Sequence, residues 1–342
     1  MNMRIIIAAF LSICLIPTSY GYDKVKLMHS FFSTVMVRGY KDDGGLAYGS
    51  GVVVAKDEVL TNCHILRAVK KPWVSQGEDS YSITSVKADR WHDLCLVKAF
   101  NLPSSQVEIA DTSSLKKGQQ VIAIGHSSGL PAPTTSLGTV KSTFSVDQGH
   151  IVRSSARFAL GASGSGLYDD NGRLIGINTF KTTGSFAYFY ALPIEWLKQV
   201  EAQPDETVFP IIGKAFWEDD DDKKPFFMQV AVPEINQDWT KLKAVAEKWV
   251  SKEPNNTDAL YELGFANEHL TGKISATEIY NKVLAIEPTH PETLFRLGVI
   301  AKNNGDTQKM INIKQQLAEV DENIAYEYEE QVINCKKECS KL

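Results

Sequence analysis

Gly161-Ala162-Ser163-Gly164-Ser165-Gly166-Leu167 leads through a turn at Asp170-Asn171-Gly172 into the strand Leu174-Ile175-Gly176-Ile177-Asn178-Thr179. A serine hydroxyl is a weak nucleophile until a base takes its proton. It also needs backbone N–H groups aimed at the oxyanion that forms. A glycine two residues before the serine lets the chain fold so that the N–H groups of both residues converge. On its own such a run reads as a turn, so the flanking sequence has to decide.

Upstream, Gly49-Ser50-Gly51-Val52-Val53-Val54-Ala55 is an apolar strand after glycines, and Leu60-Thr61-Asn62-Cys63-His64 places a histidine just past a strand end. Histidine is the natural general base, because its unperturbed pKa lies near neutrality. Between the two, Asp89-Arg90-Trp91-His92-Asp93-Leu94-Cys95-Leu96-Val97 puts Asp93 at the mouth of an apolar strand. A buried carboxylate there can orient an imidazole.

Three segments in the order His, Asp, Ser resemble trypsin-fold serine proteases, most of all the HtrA/Deg branch. The resembling parts are Gly49-Ser50-Gly51 with Thr61-Asn62-x-His64, Asp93-Leu94-x-Leu96-Val97, Gly118 to Gly125, and Gly161-x-Ser163-Gly164 with Ile175 to Thr179. The match runs from about Val35 to Pro193. The resemblance implies two six-stranded β-barrels with the site between them. It implies Ser163 as nucleophile, His64 as base, Asp93 as orienting carboxylate, and Gly161 and Ser163 N–H groups as the oxyanion hole. Substrate backbone is expected beside Asn178, Thr179 and Phe180. Arg157, six residues before Ser163, falls where the family has the floor of its primary specificity pocket. It either favours an acidic side chain there by charge pairing or points to solvent, and the second reading is preferred. Ala162 stands where digestive relatives carry an activation aspartate, and Ser165 and Gly166 replace a glycine and a proline. These departures keep a second function in view, an inactive protease-fold scaffold.

Rival residues are set aside by position. His92 directly precedes Asp93 and cannot be the base of the motif. His126 follows a strand where the family has a loop and reads as a surface residue. Asp89 does not abut the apolar strand, and Ser165 lacks the glycine spacing of Ser163. The His and Cys residues show no zinc-ligand spacing, and neither a metal nor another cofactor is expected.

Short strands with turn signals continue from Val35 to about Pro193 and suggest a barrel or sandwich. Ile194 to Glu201 reads as a closing helix. Residues 202–238 carry four prolines, several aromatics and the acidic run Glu218 to Asp222, and read as a linker. From Trp239 the pattern is helical and repeats. Leu263-Gly264 recurs as Leu297-Gly298, and Pro254 recurs as Pro288. This resembles a tetratricopeptide array with a degenerate first unit, a full unit (Thr257 to His290) and a weaker third, with a plain helical bundle as the alternative. The fold class expected is a trypsin-like double β-barrel followed by an all-α repeat domain, with the domains at 22–201 and 239–342.

Arg4, the apolar run Ile5 to Ile16, and the break at Pro17 to Gly21 have the layout of a cleavable signal peptide, 1–21. A periplasmic or secreted location follows, with no later membrane span expected. The formal net charge of −5 argues against a nucleic-acid surface. Expected partners are protein or peptide substrates and a peptide or protein in the repeat groove. In an oxidising compartment, Cys63 with Cys95 and Cys335 with Cys339 are candidate disulfides.

Overall fold

The structure is a computed structural model that describes residues 24–182, 187–320 and 322–335. The expected signal segment 1–21 and Cys339, with its pairing to Cys335, lie outside the described residues.

Runs of valine and isoleucine at alternate positions form strands, since branched side chains pack well on a pleated surface. After a short helix α1 (Lys24–Phe32), six strands make the first barrel: β1 (Thr34–Tyr40), β2 (Leu46–Ala55), β3 (Glu58–Asn62), β4 (Trp73–Gln76), β5 (Asp79–Asp89) and β6 (Leu94–Ala99). Their order is β5-β4-β1-β2-β3-β6, and β5 closes the ring on β6. Val35, Val37, Val53, Val59, Val74, Val86 and Val97 fill the interior. Helix α2 (Cys63–Leu66) follows β3 directly.

The second barrel holds β7 (Gln120–Gly125), β8 (Thr134–Val146), β9 (Gly149–Ser154), β10 (Ser165–Asp169), β11 (Leu174–Lys181) and β12 (Phe189–Pro193), closed in the order β10-β11-β12-β9-β8-β7. Val121, Val140, Val152, Leu167 and Ile175 form its core. The closing helix is a 3-10 turn at Ile194–Trp196 running into α3 (Leu197–Glu201). The double-barrel expectation is met.

Residues 202–238 do more than link. A two-residue strand, β13 (Asp205–Glu206), adds to β5. Ile211 then enters the first barrel's core, while Phe216 joins the core between the barrels. The short helices α4 (Phe226–Gln229) and α5 (Ala231–Ile235) follow, and Phe227 stacks on Phe144 of β8 at 4.3 Å. Apolar side chains spaced between the prolines turn the segment into a strap held by burial.

Among the described residues the repeat region holds six α-helices, α6 (Trp239–Lys252), α7 (Thr257–Leu270), α8 (Lys273–Ile286), α9 (Pro291–Asn303), α10 (Thr307–Val320) and α11 (Glu322–Tyr328), the last running into a π-helical turn at Glu329–Ile333. Asp238 and Asn256 cap α6 and α7 by accepting the Lys241 and Ala259 N–H groups. The repeated glycines allow close helix approach. A Cβ on Gly264 would stand 2.7 Å from the Tyr280 ring, and one on Gly298 would stand 2.3 Å from Tyr328. In the last unit the close partner therefore comes from α11, which is why its motif is hard to read in sequence. One continuous apolar core runs from Leu60 and Ile122 through Trp196 and Phe227 to Trp249 and Ala266. Among the described residues no helix is long and apolar enough to cross a membrane.

Candidate active site

The turn after β3 sets His64 in α2, and the turn before β6 sets Asp93 opposite it. Asp93 is fully buried and sits at a positive φ of 54°. Its Oδ1 accepts the His64 backbone N–H at 2.7 Å, and its Oδ2 lies 2.6 Å from His64 Nδ1. Burial pushes the Asp93 carboxyl above the usual carboxylate range, against the pull of its hydrogen bonds and charge interaction with His64 and of Arg67. Cys63 and Cys95 flank the pair and form the expected disulfide. It closes a 32-residue separation between the two turns.

Ser163 stands on the turn into β10. Gly161 has φ of 97° and Gly164 of 85°, conformations that an L side chain resists. The turn is clamped to β2, where Ser50 N–H donates to the Ser163 carbonyl at 2.7 Å and Ser50 Oγ donates to the Gly161 carbonyl at 2.8 Å. Among the described residues, neither the Gly161 nor the Ser163 N–H donates to a protein acceptor.

Asn62 and Thr179 join the two barrels at the site. Asn62 Nδ2 donates to the Asp93 carbonyl at 3.1 Å and to Thr179 Oγ1 at 3.0 Å. Ser163 Oγ donates to the Thr179 carbonyl at 3.3 Å. Asn62 thus stitches the segment of Asp93 to the strand of Thr179, a role that its place in Thr61-Asn62-x-His64 hinted at without specifying.

Two sequence expectations change, at Asn178 and at His126. Asn178 is buried and fully used: it pairs with Ser165 and Ala191, its carbonyl accepts the Gly164 N–H, and its Nδ2 donates to Ser165 Oγ and the Gly166 carbonyl. It shapes the nucleophile turn, so the β11 edge unpaired by β10 begins at Thr179. Phe180 lies on that edge, half-buried between Tyr190 and Trp217. Arg157 is exposed, with its N–H on Ser136 Oγ, and the buried aromatic beside Ala162 is Phe158, packed edge-on against Phe189 at 5.0 Å. His126, read as a surface residue, is buried: its N–H donates to Ser50 Oγ, and its carbonyl lies 2.6 Å from where a Gly161 Cβ would sit. His92 makes a separate pair with Asp89 at 2.6 Å, its ring packed at a tilt against Trp196. Ser165 is buried under the turn.

The repeat helices reach the second barrel directly. Arg153 of β9 pairs with Asp258 of α7 at 2.5 Å, both nearly buried, and lies over the Tyr188 ring. The Tyr188 hydroxyl donates to Glu292 of α9. A cavity of about 340 Å³ remains between them, lined by Glu234, Glu262, Phe265 and Arg296 among others. Among the described residues Glu262 Oε2 has no hydrogen-bond partner, and burial first, then the Glu234 charge, pushes its carboxyl well above the usual range.

Residues 49–177 match the trypsin-like peptidase domain family, and residues 279–312, covering α9 and parts of α8 and α10, match the tetratricopeptide repeat. The chain is 31% identical over 171 residues to the periplasmic serine endoprotease DegP of Salmonella typhimurium, covering 46% of this chain and 36% of that protein. It is 29% identical over 170 residues to a probable serine protease do-like of Buchnera aphidicola, covering 46% and 35%. The chain thus spans about a third of the length of these curated relatives. Among solved structures, the active form of the Rv3671c protease from M. tuberculosis is similar at 19% identity and a TM-score of 0.49, covering 56% of this chain and 88% of that one.

Proposed function

We propose that this chain, a trypsin-like peptidase domain followed by tetratricopeptide repeats, is an exported serine endopeptidase that hydrolyses protein substrates through an acyl-enzyme. The observation that carries the reading is the buried Asp93 bonded to His64 Nδ1 at 2.6 Å, across the barrel junction from a serine on a strained glycine turn. With Nδ1 held by Asp93, the imidazole presents Nε2 as a base. His64 takes the Ser163 hydroxyl proton as Oγ attacks the scissile carbonyl. The Gly161 and Ser163 N–H groups hold the tetrahedral oxyanion. His64 then protonates the leaving amine, and water repeats the sequence to release the acid. Substrate backbone adds to the β11 edge at Thr179 and Phe180. Export follows from the signal-like N-terminus, and the relatives named periplasmic support it.

The repeats in this proposal brace the second barrel, because α7 and α9 already engage Arg153 and Tyr188. A peptide partner on that face would have to displace those contacts. The test is cleavage of an unfolded protein such as reduced casein by wild type, Ser163→Ala and His64→Ala. Cleavage by wild type alone supports the reading, and equal cleavage by all three refutes it.

A further inference from the structure

The strap reaches the catalytic pair. Arg67, at the end of α2, donates through Nη1 to the Gly213 carbonyl at 2.8 Å and pairs with Glu218 at 2.5 Å. Its Nη2 lies 3.9 Å from Asp93 Oδ1. The strap is seated on either side of this point. Phe216 N–H donates to the Trp91 carbonyl at 2.9 Å, and the Trp217 ring packs on Phe180 at 5.5 Å. Glu218 Oε2 also accepts the Ala215 N–H at 2.6 Å, which fixes the carboxylate against the strap's own backbone.

We propose that Arg67 and Glu218 are positioning residues of the catalytic pair, through which the strap outside the peptidase-domain match sets the charge balance at His64. The inference rests on the protease reading above. Asp93 needs its full negative charge directed at the imidazole. Arg67 alone draws on that charge, and Glu218 holds and neutralises Arg67. Burial would raise the Glu218 carboxyl, but the Ala215 N–H and then Arg67 keep it below the usual range, so it is ionised whenever the pair works. Two other cations of these segments have their own partners: Lys214 of the strap pairs with Asp219 at 2.8 Å, and Arg90, three residues before Asp93, pairs with Glu206 at 2.6 Å.

The test is the rate at which a fluorophosphonate probe labels the full chain as a function of pH. In Glu218→Gln, the imidazolium loses a nearby negative charge and Arg67 is released toward Asp93, so the labelling midpoint moves to lower pH, by about half a unit for a partly screened charge. In Arg67→Gln it moves to higher pH. Glu218→Asp restores the wild-type profile. Unmoved midpoints in both Gln variants, with or without a loss of folded protein, overturn the proposal. NMR titration of the His64 ring in the same variants reads the midpoint without activity. A protein that takes no label yet shows the opposed shifts would sink the protease reading and keep the pair.

Discussion

Gly161 is held between the Tyr48 ring, the His126 carbonyl and Gly129, so a Cβ there would lie 2.6 Å from His126 O and 2.7 Å from Tyr48. With φ of 97° the position is also strained for any other residue. Gly161→Ala must therefore turn the peptide that presents the proposed oxyanion donor. Removing one such donor costs about 10²–10³ in rate. We expect Gly161→Ala to label with a fluorophosphonate at least about 100-fold more slowly than wild type while it remains folded by circular dichroism. Rapid labelling would place the oxyanion site elsewhere. At this scale the sequence was legible for the pairing of His64 with Asp93 and for the glycine turn that carries Ser163, whose motifs depend on local backbone. Asn178 and His126 were misread because their roles are set by strands remote in sequence: β10 and β12 consume the Asn178 hydrogen bonds, and Ser50 anchors His126.

At the scale of elements, strands and repeat helices announced themselves through period, glycine breaks and the recurring Leu-Gly pair. The strap did not, because its prolines suggest a linker while its burial comes from single side chains, Ile211, Phe216 and Phe227, placed on surfaces that only the folded barrels supply. The same holds for the union of β9 with α7. Arg153 and Asp258 each have side chains about 10% exposed, and neither carries a motif. Asp258 stays below the usual range, because Arg153 and then His290 outweigh its burial. Arg153→Ala would leave this carboxylate buried without its cation and remove the ring contact with Tyr188. Breaking a buried pair by deleting one partner costs about 3–5 kcal/mol. Denaturant unfolding of Arg153→Ala should show a loss of that size or a separate early transition of the helices. An unchanged single transition would mean the pair does not join the two units.

Across the whole molecule, core and charge are shared between barrels and repeats. Glu262 of α7 lines the cavity, one of its oxygens has no hydrogen-bond partner among the described residues, and its carboxyl is pushed well above the usual range by burial and by Glu234. A carboxyl raised in the fold adds stability that is fully present below its unfolded pKa of about 4.3 and is lost as pH rises toward the folded value. Glu262→Gln should therefore match wild type near the acid end and become progressively more stable than it as pH rises to neutrality. Thermal unfolding of both proteins across that range checks this, and a constant difference would contradict it.

The central claim is that His64 and Asp93 activate Ser163. It is tested most directly by reacting the folded, signal-free chain with a fluorophosphonate and mapping the adduct by mass spectrometry. The account predicts a single adduct on Ser163 that disappears in Ser163→Ala and falls steeply in His64→Ala and Asp93→Asn. A folded protein with no adduct, or with one on another serine, would contradict it.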